Sequence, residues 1–129
     1  MNPVDIYLRS ISTDYANFKG RARRSEFWIF NLFSILLLGL TSATFFALNF
    51  KAGVTSILLT YLALLIPSLS VFVRRLHDTG KTGWLLLLTF VPFGNLILLI
   101  FACIDGDLGE NKYGPDPKEE VYDIEDYLV

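Results

Sequence analysis

The residues whose types could do chemistry gather in three short segments. The first runs Phe18-Lys19-Gly20-Arg21-Ala22-Arg23-Arg24-Ser25-Glu26-Phe27-Trp28 and carries four cations within six positions, directly ahead of a long apolar stretch. Cations so placed neutralise anionic headgroups at about 1 kcal/mol each. Glu26, at the mouth of the apolar stretch, is positioned to hold Arg74 or Arg75 of the second segment, Val73-Arg74-Arg75-Leu76-His77-Asp78-Thr79-Gly80-Lys81-Thr82-Gly83-Trp84. An ion pair at that depth would fix how two helices dock. In the third segment, Asp105-Gly106-Asp107-Leu108-Gly109-Glu110-Asn111-Lys112-Tyr113-Gly114-Pro115-Asp116-Pro117, carboxylates alternate with turn-forming residues.

Each segment also has a plainer reading, and several catalytic readings fail on spacing. Gly80-Lys81-Thr82 ends like a phosphate-binding loop, but Arg75 stands where that loop requires glycine. Gly80 reads instead as a left-handed helix stop, with Asp78 and Thr79 able to bond freed backbone groups. His77 and Asp78 form a possible proton-transfer pair, though adjacent helical residues do not face each other. Asp105, Asp107 and Glu110 offer oxygen ligands, but Gly109 occupies a ligand position of the calcium loop, so an ordered turn is the better expectation. One histidine and one cysteine, His77 and Cys103, cannot build a zinc site of usual composition. We expect no catalytic set, no metal and no cofactor.

The elements that must position these segments follow from hydropathy. The 129 residues are 53% hydrophobic and 19% charged, with mean hydropathy +0.47, too apolar for a water-soluble fold of this size. Three runs, 27–50, 52–73 and 82–104, hold no charged residue. Each exceeds the roughly 20 residues that cross a ~30 Å hydrocarbon slab as a helix. The expected fold is therefore an all-α membrane protein with three transmembrane helices, about 27–50, 52–73 and 83–104, in a single integral domain over residues 1–118, followed by an acidic tail over 119–129. Pro92-Phe93-Gly94-Asn95 interrupts the third run, which leaves a kinked helix or a re-entrant hairpin open there. The first run is too long for a signal-peptide core, so it is expected to stay as an anchor.

Orientation follows from Lys and Arg counts in the flanks. Arg9, Lys19, Arg21, Arg23 and Arg24 precede the first run, and Arg74, Arg75 and Lys81 separate the second from the third, against Lys51, Lys112 and Lys118 on the other side of a three-span chain. The N-terminus is thus expected in the cytoplasm, with Trp28 and Trp84 as interfacial anchors and the acidic tail outside. Asn2, Pro3 and Asp5 start a short helix whose Val4, Tyr7, Leu8 and Ile11 share a face suited to a membrane surface. Asp116, Pro117 and Glu119 begin a similar pattern with Val121, Ile124 and Leu128, although the acidic density fits disorder equally well. Gly39, Ala43 and Ala47 form a small-residue stripe, and Ser56, Thr60, Pro67 and Ser70 a mildly polar one. Either stripe would serve contacts between helices or between protomers.

With Gly20, Glu26, Trp28, His77, Asp78, Gly80, Trp84, Asn111, Tyr113, Gly114 and Pro115 at their places, the three segments resemble the signature blocks of the YhaH/YhaI-like bacterial inner-membrane family, domain of unknown function 805, over residues 15–118. The resemblance implies a small multi-span protein of the bacterial cytoplasmic membrane and supplies no activity, substrate or cofactor.

The residues themselves favour a non-enzymatic assembly or regulatory subunit, in which Arg21, Arg23, Arg24, Arg74 and Arg75 bind membrane lipids with anionic headgroups or a membrane-protein partner. An oligomeric transporter or channel component, using the polar stripe and the break at Pro92, is the second class. A headgroup enzyme built on His77 and Asp78 is the third. A net charge of −2 argues against nucleic acid as a partner.

Overall fold

A computed structural model describes residues 2–118, and the acidic tail with its expected terminal helix lies outside the described residues. The described chain is helical: α1 (Pro3–Ile11), α2 (Arg24–Phe46), α3 (Phe50–Asp78), a 3₁₀ helix (Gly83–Phe90) and α4 (Gly94–Cys103). It divides into two compact units. Of the described residues, one comprises 2–17 and 28–70 and the other 18–27 and 71–118, with α2 and α3 running through both.

α2 and α3 are long and apolar enough to cross a membrane. Leu32, Ile35, Leu36 and Leu40 of α2 and Leu58, Leu59 and Leu62 of α3 are exposed, whereas a core helix of a soluble protein would hide them. A 29-residue helix measures about 43 Å, more than a ~30 Å hydrocarbon core, and the charged residues of α3 near its C-terminal end start at Arg74.

In the first unit α1 starts as its sequence dictates. The Asn2 side chain accepts a hydrogen bond from the Asp5 N–H at 2.8 Å, and Pro3 occupies the first turn, where a missing N–H costs nothing. The Tyr7 ring packs on Phe30 and Phe33, while Val4 and Leu8 stay exposed. The mildly polar stripe of α3 is used inside the unit: Ser56 and Ser70 are buried, and the Thr60 hydroxyl lies 3.4 Å from that of Thr41. Gly39, by contrast, faces open space.

Pro67 lies inside α3 and cannot donate to the carbonyl of Ala63 one turn earlier. The hydroxyl of Tyr15 supplies the missing donor, at 2.8 Å from that carbonyl oxygen. The Ser70 hydroxyl in turn lies 3.0 Å from the Pro67 carbonyl and 3.3 Å from those of Asp14 and Tyr15, pinning the segment after α1 onto the interrupted turn. In hydrocarbon a carbonyl freed by proline must find such a partner.

In the second unit the third apolar run differs from the expected single span. It forms a 3₁₀ helix and an α-helix that pack against each other across a tight turn. Pro92 and Phe93 take the central positions, and the Gly94 N–H closes the turn on the Val91 carbonyl at 2.9 Å. Phe93 has φ +62°, and a Cβ on Gly94 would overlap the Leu88 carbonyl oxygen. Proline followed by a left-handed residue is the chemistry of a reversing turn, and it overrides the hydropathy of the run. At ~2.0 Å per residue for 3₁₀ and ~1.5 Å for α, each arm is about 15 Å long, half of a ~30 Å core. Trp84 at 78%, Phe90 at 84% and Phe93 at 79% exposure leave the hairpin apolar outside as well as in.

Replacing Tyr15 by Phe orphans the Ala63 carbonyl and is expected to cost about 1–3 kcal/mol in detergent-solubilised unfolding. In a Pro67→Ala background the helix supplies its own donor, so the same replacement should cost clearly less in a double-mutant cycle.

Candidate functional site: a buried arginine and aspartate knot

The second unit collects all three sequence segments at the end of α3. Gly80, at φ +74°, ends the helix in the left-handed conformation: Lys81 N–H bonds the Leu76 carbonyl at 2.9 Å and Gly80 N–H that of His77 at 3.0 Å. The last turn thereby presents Arg75 and Asp78 together. Arg21 approaches from the segment ahead of α2, where Ala22 N–H bonds the Arg74 carbonyl at 3.0 Å.

Arg21 and Asp78 pair at 2.9 Å through Nε and Oδ1, with side chains 1% and 2% exposed. Arg75, at 0% exposure, pairs through Nη1 with the other oxygen, Oδ2, of the same carboxylate. One buried anion thus serves two buried cations. The surplus positive charge is met by backbone dipoles. Arg21 Nη1 donates to the carbonyls of Gly109 at 2.6 Å and Gly114 at 3.4 Å, and its Nη2 donates to those of Asp78 at 3.4 Å and Asp107. Arg75 donates to the carbonyls of Ala102 at 3.0 Å, Ala22 at 3.1 Å and Ile104. A guanidinium has five N–H donors in a rigid fork and can fix several acceptors at once.

The acceptors come from the third segment, from Ala22 ahead of α2, from Asp78 itself and from Ala102 and Ile104 at the end of α4. Asp107 N–H bonds the Asp78 carbonyl at 2.7 Å, and a Cβ on Gly106 would overlap the Asp78 carboxylate, so only glycine lets the chain pass there. The Asn111 amide donates to the His77 carbonyl at 2.9 Å, and its oxygen accepts from Tyr113 N–H at 2.9 Å. Asn111 and Gly114 bond each other reciprocally at 3.1 Å, with Gly114 at φ +140°. Asp116, buried, closes the segment by accepting from Gly109 N–H at 3.0 Å and Lys118 N–H at 2.9 Å.

His77 stands beside the knot without joining it. Its ring stacks on Tyr113 at 3.9 Å and 3°, and Nδ1 lies 3.1 Å from the Gly20 carbonyl, which can only accept, so Nδ1 carries the proton. Burial lowers its pKa below 6.5, the Gly20 bond opposes that shift, and the charge of Lys112 adds to it. His77 and Asp78 therefore have separate partners.

Of the remaining candidates, Arg74 is buried 3.7 Å from Glu26, as the placement of Glu26 suggested, while Arg75 goes to Asp78. Arg24 is exposed, pairs with Asp105 at 2.8 Å and reaches the Cys103 carbonyl at 3.3 Å. Arg23 is half-buried. Gly20 has φ +88°; Trp28, Trp84 and Pro115 lie exposed. Sequence reasoning weighed Asp107 as an oxygen ligand and Asp116 as a helix start, and missed the shared role of Asp78. The signal available was that segments one and two bring many cations and few carboxylates, so at least one acid had to be shared.

The family described as protein of unknown function (DUF805) matches residues 15–115, the stretch that contains Arg21, Arg75, Asp78 and every backbone carbonyl bonded to the two guanidiniums. The chain is 42% identical over 110 residues to inner membrane protein YhaI of Escherichia coli K12, covering 84% of this chain and 92% of that one. It is 41% identical over 121 residues to inner membrane protein YhaH of the same organism, covering 91% and 99%. The uncharacterized protein YiiR of that strain is 31% identical over 140 residues, covering 82% and 89%. No solved structure matches the chain.

Replacing Asp78 by Ala leaves two buried guanidiniums without their anion and is expected to cost about 3–5 kcal/mol, seen as a large fall in Tm in detergent. Arg21→Lys should fail to restore stability, because one ammonium cannot span the Asp78 carboxylate and the Gly109 and Asp107 carbonyls. His77 gives a pH signature of defined sign. Below pH 6.5 the unfolded chain takes up a proton that the folded chain resists, so stability falls as pH drops through 6.5 and levels off below the folded value. That part of the Tm profile between pH 8 and 5 should disappear in His77→Gln.

Proposed function

The chain belongs to the DUF805 family of proteins of unknown function, and from that premise we propose that it is a multi-pass protein of the bacterial cytoplasmic membrane acting as a non-enzymatic assembly or regulatory subunit. One observation carries the reading: the central residues of the three segments, Arg21, Arg75, Asp78, His77 and Asn111, are spent on one another and on backbone groups. Arg21, Arg75 and Asp78 are buried and mutually paired, and His77 and Asn111 bond backbone groups. Such a knot shapes a surface rather than receiving a substrate.

In the topology that goes with this reading, α2 and α3 cross the bilayer and the hairpin of the 3₁₀ helix and α4 enters and returns on the cytoplasmic side. The return is supported by the bonds from Arg21 and Arg75, which draw Ala102, Ile104, Asp107 and Gly109 back to the segments flanking the two spans. Of eleven Lys and Arg, all but Lys51 then lie on the cytoplasmic side, a stronger bias than three full spans would give. Lys19, Arg24 and Lys112 are the exposed cations of the motif surface, and with Arg23 they supply the contacts to anionic headgroups or to the carboxylates of a partner.

Two measurements test this. In a Cys103→Ser background, an Asn49→Cys variant in intact spheroplasts should react with a membrane-impermeant maleimide while Lys112→Cys stays protected until the cells are opened; labelling of Lys112→Cys from outside would overturn the topology. In cells, crosslinks from a photoreactive residue at Ser25 to lipid or protein should fall several-fold when Arg23 and Arg24 are replaced by Ala. An unchanged pattern in that folded variant would overturn the role given to these cations.

A further inference from the structure

The first unit contains a feature that the knot does not touch. Between α2 and α3, beside the turn that joins them, lies a groove of about 500 Å3 lined by Thr41, Phe45, Thr55 and Leu59, with Asn49 and Lys51 at its mouth. Its hydroxyls are already committed. Thr41 donates to the Leu37 carbonyl at 2.8 Å, and Thr55 to that of Lys51 at 2.8 Å. No charged side chain lines the groove below Lys51. A polar solute would find no free donor there, and an alkyl chain would lose nothing by entering.

The mouth is chemically different. Lys51 is the only cation between Arg24 and Arg74, is exposed, and makes no ion pair among the described residues. Asn49 uses its side-chain oxygen to accept from Ala52 N–H at 2.8 Å, which leaves its amide nitrogen to donate. From Lys51 to Thr60 along α3 is nine residues, about 14 Å at ~1.5 Å per residue, close to half of a ~30 Å hydrocarbon core. The groove therefore has the depth of one leaflet, with a cation and an amide donor at the level of the headgroups.

We infer that this groove binds an anionic phospholipid, one acyl chain lying between Thr41 and Leu59 and the phosphate held by Lys51 and Asn49. The site is independent of the arginine knot and of the proposed cytoplasmic contacts. Charge selects the headgroup, and the committed hydroxyls select the tail.

Native mass spectrometry of the full chain in a mild detergent, titrated separately with phosphatidylglycerol and phosphatidylcholine of the same acyl composition, tests it. One phosphatidylglycerol should be retained about fivefold better than phosphatidylcholine, the ratio that a single lysine at a headgroup supplies. Lys51→Gln, an exposed change that leaves the packing intact, should bring the ratio to about one. Thr55→Phe, which fills the groove, should remove retention of both lipids, while Arg23→Ala with Arg24→Ala should leave the ratio as in the native chain. Equal retention of the two lipids by the native chain, or a preference that survives Lys51→Gln or Thr55→Phe, would overturn the assignment.

Discussion

Two buried guanidiniums sharing one carboxylate set the terms for everything around them. Removing such ions from water costs several kcal/mol each, and Coulombic attraction repays this only where the remaining donors are also satisfied. Asp78 can neutralise one charge, not two. The rest must come from carbonyl dipoles aimed at Arg21 and Arg75, and those carbonyls belong to Ala22, Ala102, Ile104, Asp107, Gly109 and Gly114. The need for them ties the end of the hairpin and the loop after it to the end of α3. The glycines of the third segment follow from the same need, because a chain bent to aim several carbonyls at one fork passes through conformations and clearances that a side chain would block.

The same pressure, to give a freed backbone group a partner where water is scarce, explains two other irregularities. Pro67 frees the Ala63 carbonyl and Tyr15 meets it. The hairpin keeps its backbone bonds local, through 3₁₀ and α turns, so an apolar run broken at its midpoint presents no open ladder. These are local solutions, each found by a residue close to the defect in space and often far from it in sequence.

That distance decides what was legible beforehand. The spans 27–50 and 52–73 were visible in charge spacing alone, because hydrocarbon tolerates few alternatives to an apolar helix, and α2 and α3 occupy nearly those positions. The start of α1 was equally plain, since Asn2, Pro3 and Asp5 act within one turn. For the third run the sequence left a kinked span and a re-entrant hairpin open, because hydropathy counts residues and ignores direction; the turn at Pro92 and Phe93 is what the hairpin reading required. Glu26 beside Arg74 was foreseen from depth, but the sharing of Asp78 was not, for its partners are 57 residues away and three residues away, and sequence reasoning weighed it only against its neighbour His77. The carbonyl acceptors have no sequence signature at all, since every residue has one.

A last consequence concerns charge. In the proposed topology the hairpin returns on its own side, so that Lys112 and Lys118 stay with the arginines of the second unit; a third full span would divide them. Within the second unit the loop after the hairpin is bound to Arg21, and Arg21, Arg24, Arg74 and Arg75 gather near the end of α3, whereas Lys51 is the one cation between Arg24 and Arg74 in sequence. An isolated cation at that level contributes little to orientation against so large an excess opposite it. It has no carboxylate among the described residues to neutralise it, so its counter-charge must come from outside the described chain. In a bilayer the anions at hand near a helix end are the phosphates of lipids, and the groove beside Lys51 is lined by apolar side chains and by the hydroxyls of Thr41, Thr55 and Ser56, whose protons are already given to backbone carbonyls.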